Sequence, residues 1–151
     1  MPEDIPEFLT GALKFGIRPG LERITRLCEI LGDPQESFEA IHIAGTNGKG
    51  SVSAFVSTML ACGDRTVGLF TSPYLERFSE RIRIIDGRKG LESLEADETY
   101  GEISSDDLDR LSAEVQKATV QMTEESYEHP TEFELITALC FLYFADRKSV
   151  V

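Results

Sequence analysis

The residues best suited to chemistry stand together in "AIHIAGTNGKGSVSAFV", residues 40–56. Gly45, Gly48 and Gly50 surround a single lysine, Lys49, and Ser51 follows. Glycines admit backbone conformations closed to other residues and let a chain approach a ligand closely. The N–H groups of such a loop and of the helix after it converge on one point, where the helix dipole adds positive potential. A lysine at the end of the loop reaches the outer phosphates of a nucleotide, and a hydroxyl just inside the helix can ligate Mg²⁺. The spacing departs from the usual GxxxxGK[ST]. The first glycine of that pattern would fall on Ile43, and Gly50 displaces the hydroxyl by one place, to Ser51. Asn47-Gly48 is also a common turn pair. Three glycines and a lysine, entered from an apolar run and left into another, favour phosphate binding over an ordinary turn.

The elements that must position this loop follow from periodicity. "AIHIA" (40–44) is short, apolar and β-branched and predicts a buried strand, with His42 as a sheet residue. "SVSAFVSTMLACG" (51–63) predicts a helix closed by Gly63, and "TVGLF" (66–70) a second strand. Together they predict one βαβ unit with a parallel strand pair. Before it, "RPGLERITRLCEILG" (18–32) repeats Leu21, Ile24, Leu27, Cys28 and Leu31 on one helical face, with Gly32 as its stop. After it, Arg81-Ile82-Arg83-Ile84 alternates like a short edge strand, with Arg77, Arg81 and Arg83 as solvated charges in the simplest reading. Residues 86–107 are rich in glycine and acids and predict a surface excursion. Leu108, Leu111, Val115, Ala118 and Met122 mark a helix capped near Ser105, and 130–148 a more apolar one. The closing "SVV" (149–151) resembles the first step of another strand, so the chain is expected to be a truncated front portion.

Composition narrows the function classes. A net charge of −12, from 15 Lys and Arg against 27 Asp and Glu, argues against a general binder of nucleic acid or of membrane surfaces. Cys28, Cys62 and Cys140 are far apart and odd in number, which excludes a disulfide framework and a CxxC metal site; they read as small buried hydrophobes. "MPEDIPEFLTG" is acidic and lacks the apolar core of a signal peptide, and no apolar run approaches a membrane span. A cytoplasmic protein is expected.

"GTNGKGS" (45–51) resembles the loop of the folylpolyglutamate synthase and dihydrofolate synthase family, one of the Mur-type ATP-dependent amide ligases, whose own loop variant has this spacing. "GLERI" (20–24), "GLFTSPYLERFSERIRI" (68–84) and "PTEFELITALCFLYF" (130–144) resemble the family's N-terminal helix start, its Ω-shaped loop and its next signature helix, in that order. The excursion at 86–107 has no counterpart in that pattern. The resemblance implies an α/β fold: a P-loop-containing parallel sheet flanked by helices, the Mur ligase central ATP-binding domain, of which residues 1–151 form the N-terminal part.

The resemblance also implies a function and its residues. ATP would be held by Gly45, Thr46, Asn47, Gly48, Lys49, Gly50 and Ser51, with Lys49 acting on the transferring phosphate. Mg²⁺ would be held by Ser51 and Ser72. The pterin or folate would be met by Thr131, Phe133, Glu134 and Arg81, with Arg77 and Glu80 ordering the loop and Gly20, Leu21, Glu22 and Arg23 nearby. The expected substrates are ATP, L-glutamate and dihydropteroate or folate, and the full-length enzyme is expected to be a monomer. Family members carry further metal-binding residues, a modified lysine and a second domain beyond the point matching Val151, so this chain alone is expected to be inactive. The alternative is a non-catalytic nucleotide-binding fragment or phosphate-loop module.

Overall fold

The computed structural model describes residues 5–16 and 18–147. The expected strand start at 149–151 lies outside them. The chain divides into two compact units, one built on Phe38–Ser104 and the other on Asp4–Ser37 with Ser105–Asp146.

The first unit holds the glycine loop. Helix α3 (Lys49–Cys62) leads into strand β1 (Thr66–Phe70); strand β2 (Ile82–Asp86) and helix α4 (Gly87–Ala96) follow. The two strands pair antiparallel, from Thr66 opposite Asp86 to Phe70 opposite Ile82. Ala61, Val67 and Ile85 form the buried centre of this unit, with Leu60, Leu91 and Leu94 packed around them. α4 comes very close to β2: a Cβ on Gly90 would lie 3.1 Å from the backbone carbon of Ile85. Only a residue without a side chain leaves that contact unstrained.

The second unit is helical. It comprises α1 (Glu7–Gly11), α2 (Glu22–Ile30), α5 (Ser105–Glu124) and α6 (Glu132–Arg147), with α2 and α1 packed on α5. Leu111, Val115 and Met122 of α5, and Leu135, Ile136, Leu139 and Phe144 of α6, are almost wholly buried. Each such side chain contributes about 1.5–3 kcal/mol by leaving water. α2 ends at a glycine as expected. Gly32 has φ 81°, its N–H donates to Glu29 O at 3.1 Å, and the Asp33 N–H donates to Cys28 O at 2.8 Å. Those paired bonds are the Schellman arrangement.

Several expectations are corrected. Residues 40–44 form no strand, and the parallel pair with 66–70 is absent among the described residues. A strand requires a partner to take its N–H and C=O groups; here β1 pairs with β2 instead, Ile41 stays 49% exposed, and His42 is exposed rather than packed in a sheet. Leu21 is 73% exposed, not part of the core, because α2 begins after it. α3 ends at Cys62 with Gly63 as its C-cap, as expected, but Gly63 has φ −82° and it is the following Asp64 that takes the left-handed conformation (φ 58°). Cys62 is exposed, whereas Cys28 and Cys140 are buried. Burial pushes the Cys28 thiol up to about 11, with a smaller contribution from Asp33. The span 86–107 is not a bare excursion. It contains α4, and Glu102 bridges Arg83 of β2 while Ile103 is 3% exposed.

Candidate functional site

Helix α3 begins directly on the glycine loop, and no side chain caps it. Its N-cap is Gly48, in the left-handed region at φ 75°, and Gly45 has φ 154°. Both conformations favour glycine, so the loop turns into the helix in a way that other residues would resist. Val52 N–H makes the first helical bond, to Gly48 O at 3.0 Å. The N–H groups ahead of it are of the kind an α-helix leaves unpaired within itself, and they are the natural donors to an anion. Around Gly48 and Gly50 a Cβ would meet nothing within 4 Å, so the mouth of the loop is open. Lys49 folds back across it, its Nζ donating to Gly45 O at 2.5 Å. A lysine in that position can exchange one carbonyl for phosphate oxygens by a rotation of its own side chain. Thr46, Asn47, Gly50 and Ser51 are exposed around it.

The same unit holds the segment from Thr71 to Arg81, which joins β1 to β2. Ser72, exposed, opens it, and its peptide bond to Pro73 is cis. Glu80 orders the segment by accepting backbone N–H bonds from Leu75 and from Glu76, the latter at 3.0 Å. Burial pushes the Glu80 carboxyl up, but the N–H groups of Leu75, Glu76 and Arg77 outweigh it and hold the group below the ordinary carboxylate range. Arg77, Arg81 and Arg83 are not solvated charges. Arg77 and Arg83 bind Glu102 at 3.1 and 3.0 Å. Arg81 is 8% exposed and lies over Tyr74 and Phe78, its guanidinium carbon 5.0 and 5.5 Å from the two ring centroids.

Thr131, Phe133 and Glu134 fall in the second unit, at the start of α6. Thr131 and Glu134 form a reciprocal cap. Glu134 Oε2 accepts from Thr131 N–H at 2.8 Å and from its hydroxyl at 2.9 Å, and Glu134 N–H faces Thr131 Oγ1 at 3.3 Å. Arg23 Nε donates to the same carboxylate at 3.1 Å, with both side chains nearly buried. The hydrogen bond that Arg23 donates to Glu134, set against burial, raises the Arg23 guanidinium above its ordinary range. Phe133 is 53% exposed, so it is not a core residue. The structure thus gathers the glycine loop, Ser72 and Arg81 into one unit and Thr131, Phe133 and Glu134 into the other. Sequence reasoning missed Glu102. Its signal lay in "YGEI" (100–103), where the buried Ile103 follows it at the end of a short polar and apolar alternation.

No family model matches the chain. Individual proteins do. The chain is 40% identical over 148 residues to a dihydrofolate synthase/folylpolyglutamate synthase of Bacillus subtilis, covering 98% of this chain and 31% of that protein. A folylpolyglutamate synthase of Mycobacterium tuberculosis, solved with ADP and AMPPCP, superposes with a TM-score of 0.74 at 33% identity, over 97% of this chain and 31% of that one. A folylpolyglutamate synthase solved with AMPPCP and folate gives 0.73 at 32% identity, over 95% of this chain and 34% of that one. The chain therefore spans about a third of the length of these relatives. The fold is α/β of the Mur ligase kind, as these superpositions show, although the described residues of this chain pair only one antiparallel set of strands.

Proposed function

This chain is related over nearly all its length to the folylpolyglutamate and dihydrofolate synthases, and from that relationship we propose that it is the nucleotide-binding part of an ATP-dependent carboxylate–amine ligase acting on folates. The reaction begins with transfer of the γ-phosphoryl group of ATP to a carboxylate oxygen of dihydropteroate or folate, releasing ADP. The amine of L-glutamate then attacks the acyl carbon, phosphate leaves and an amide remains. The observation that carries the reading is the uncapped start of α3 on left-handed Gly48, with Lys49 folded across the loop.

In this reading residues 45–51 hold the polyphosphate. Their backbone N–H groups and the Lys49 ammonium neutralise charge that grows on the transferring phosphoryl group. The hydroxyls of Ser51 and Ser72 are the groups that would hold Mg²⁺. Among the described residues no group of three His, Cys, Asp or Glu is placed to bind a metal. Two neutral hydroxyls suit an ion that takes most of its oxygens from the nucleotide and water. That ion would screen the phosphate charges. Phe133, half exposed at the start of α6, offers a ring on which a pterin can stack, with Thr131 and Glu134 beside it in the same unit. A cytoplasmic location and a monomeric full-length enzyme belong to the same proposal.

Calorimetry tests it. Lys49→Ala should abolish binding of Mg-ATP while leaving the unfolding free energy within about 0.5 kcal/mol of wild type, since Lys49 is exposed. Equal ATP affinity in the two proteins would remove the phosphate-loop assignment. A wild-type chain that binds Mg-ATP but neither dihydropteroate nor folate would instead be a non-catalytic nucleotide-binding module.

A further inference from the structure

Three arginines lie within residues 77–83, and the structure treats Arg81 differently from the other two. Glu102, with its side chain 7% exposed, serves Arg77 and Arg83. Its Oε1 accepts from Arg77 Nη2 at 3.1 Å and Arg83 Nη2 at 3.0 Å; its Oε2 accepts from Arg77 Nε at 3.4 Å and Ser79 Oγ at 2.5 Å. A carboxylate has about four lone-pair sites, so Glu102 has no capacity left. Arg81 is buried, more so than Arg77 or Arg83, yet no carboxylate pairs with it among the described residues, and its Nε is buried with no hydrogen-bond partner. Acids are not scarce in a chain with 27 of them against 15 Lys and Arg. A guanidinium cannot shed its proton, and a buried cation is costly unless an anion meets it. The rings of Tyr74 and Phe78 hold the cation in place but accept no N–H bond in the plane of the fork.

We infer that Arg81 is an oxyanion-binding residue that takes a carboxylate or phosphate group of a ligand, held for that task by Tyr74, Phe78 and the Glu102-anchored segment. This rests on the ligand-site reading above and narrows it: Arg81 recognises charge, not the pterin ring. Within the same unit, the glycine loop supplies the other anion-seeking group.

The first test uses inorganic phosphate and thermal unfolding. Lys49→Ala removes the loop's own cation, and Arg81→Met keeps an unbranched apolar stem beside the two rings while removing the charge. Phosphate should raise the unfolding midpoint of the Lys49→Ala protein and leave that of the double variant unchanged. Equal rises in both, or none in either, overturn the inference. The source of the anion follows from titrating Arg81→Met with Mg-ATP, with pteroate, and with 6-methylpterin, which lacks the carboxylate. A loss of about tenfold for pteroate but none for methylpterin assigns Arg81 to a carboxylate; the same loss for Mg-ATP alone assigns it to phosphate. Arg81→Lys should recover part of whichever affinity is lost. Equal weakening of all three ligands, or of none, means a structural role and overturns the inference. If the wild type binds neither Mg-ATP nor pteroate while its phosphate response still depends on Arg81, the ligase reading falls and the anion site stands.

Discussion

Thr131 and Glu134 open α6 in the spacing of a capping box, and that spacing alone explains part of what Glu134 does. The rest came only with the fold. Arg23, more than a hundred residues earlier, delivers its guanidinium to the same carboxylate oxygen and also donates to Arg18 O at 2.7 Å. Removing one member of a buried ion pair leaves the other charge without a partner, which costs about 3–5 kcal/mol. Glu134→Ala should therefore lower the urea unfolding free energy by about 3 kcal/mol or more, while Glu134→Gln, which keeps the acceptor for Thr131, should cost less. A loss under about 0.5 kcal/mol for Glu134→Ala would mean that the pair does not hold α6 in solution. The residues most legible in the sequence were those of the glycine loop, because their conformational demand is local: Gly48 sits in the left-handed region where residue type alone suggests it. Arg81 and Glu102 were illegible for the opposite reason. Glu102 meets Arg83 and Arg77 from 19 and 25 residues away, and Arg81, whose rings Tyr74 and Phe78 are near in sequence, is told apart from its neighbouring arginines only by which of them that distant carboxylate reaches.

At the scale of elements, helices α2, α3, α5 and α6 and the strand β1 were readable because each satisfies its own backbone or carries a strong period, whereas α4 lay hidden in the glycine- and acid-rich span 86–107. Residues 40–44 have the composition of a buried strand but lack a ladder, since a strand is completed only by its neighbour. Residues 97–103 show the converse. They are polar and glycine-containing, yet they pair with β2: Ile84 N–H donates to Gly101 O at 2.8 Å and Ile103 N–H to Ile82 O at 2.9 Å. Gly101 allows this, with φ 77° and its α-carbon so close to Ile84 that a Cβ would collide with the Ile84 carbonyl oxygen. The left-handed conformation alone costs a non-glycine residue about 1–2 kcal/mol, and the collision adds to it. Gly101→Ala should thus destabilise the first unit by more than 2 kcal/mol and speed amide exchange at Ile84 and Ile103 before that of α5. Unchanged exchange at those two amides would show that the pairing contributes nothing to the fold.

For the whole molecule, the excess of acids sets how stability responds to pH. The chain carries −12 at neutral pH, and such self-repulsion opposes compaction. Among the described residues, Glu80, Asp97 and Glu125 have a native environment that holds their carboxyls below the ordinary range. Glu80 has its backbone donors outweighing burial; Asp97 has the hydroxyl and then the N–H of Thr99; Glu125 has the Arg26 guanidinium and then Gln121. A carboxyl whose native pKa lies below its unfolded value, about 4 for these side chains, adds stability above that unfolded value. The contribution is lost as pH falls through the native pKa. The two effects run in opposite directions on acidification. From pH 7 to about 5, neutralising surface acids relieves repulsion and the unfolding free energy should hold or rise slightly; below about pH 4 the three held carboxyls protonate and it should fall. Urea, being uncharged, is the denaturant to use, with far-ultraviolet circular dichroism as the probe because the chain has no tryptophan. Glu80 and Asp97 belong to the first unit and Glu125 to the second, so amide exchange should show both units loosening in the same pH range. A stability that continues to climb below pH 4 would mean that relief of the net charge outweighs these native carboxylate contacts, and that their depressed pKa values are not what holds the acid side of the fold.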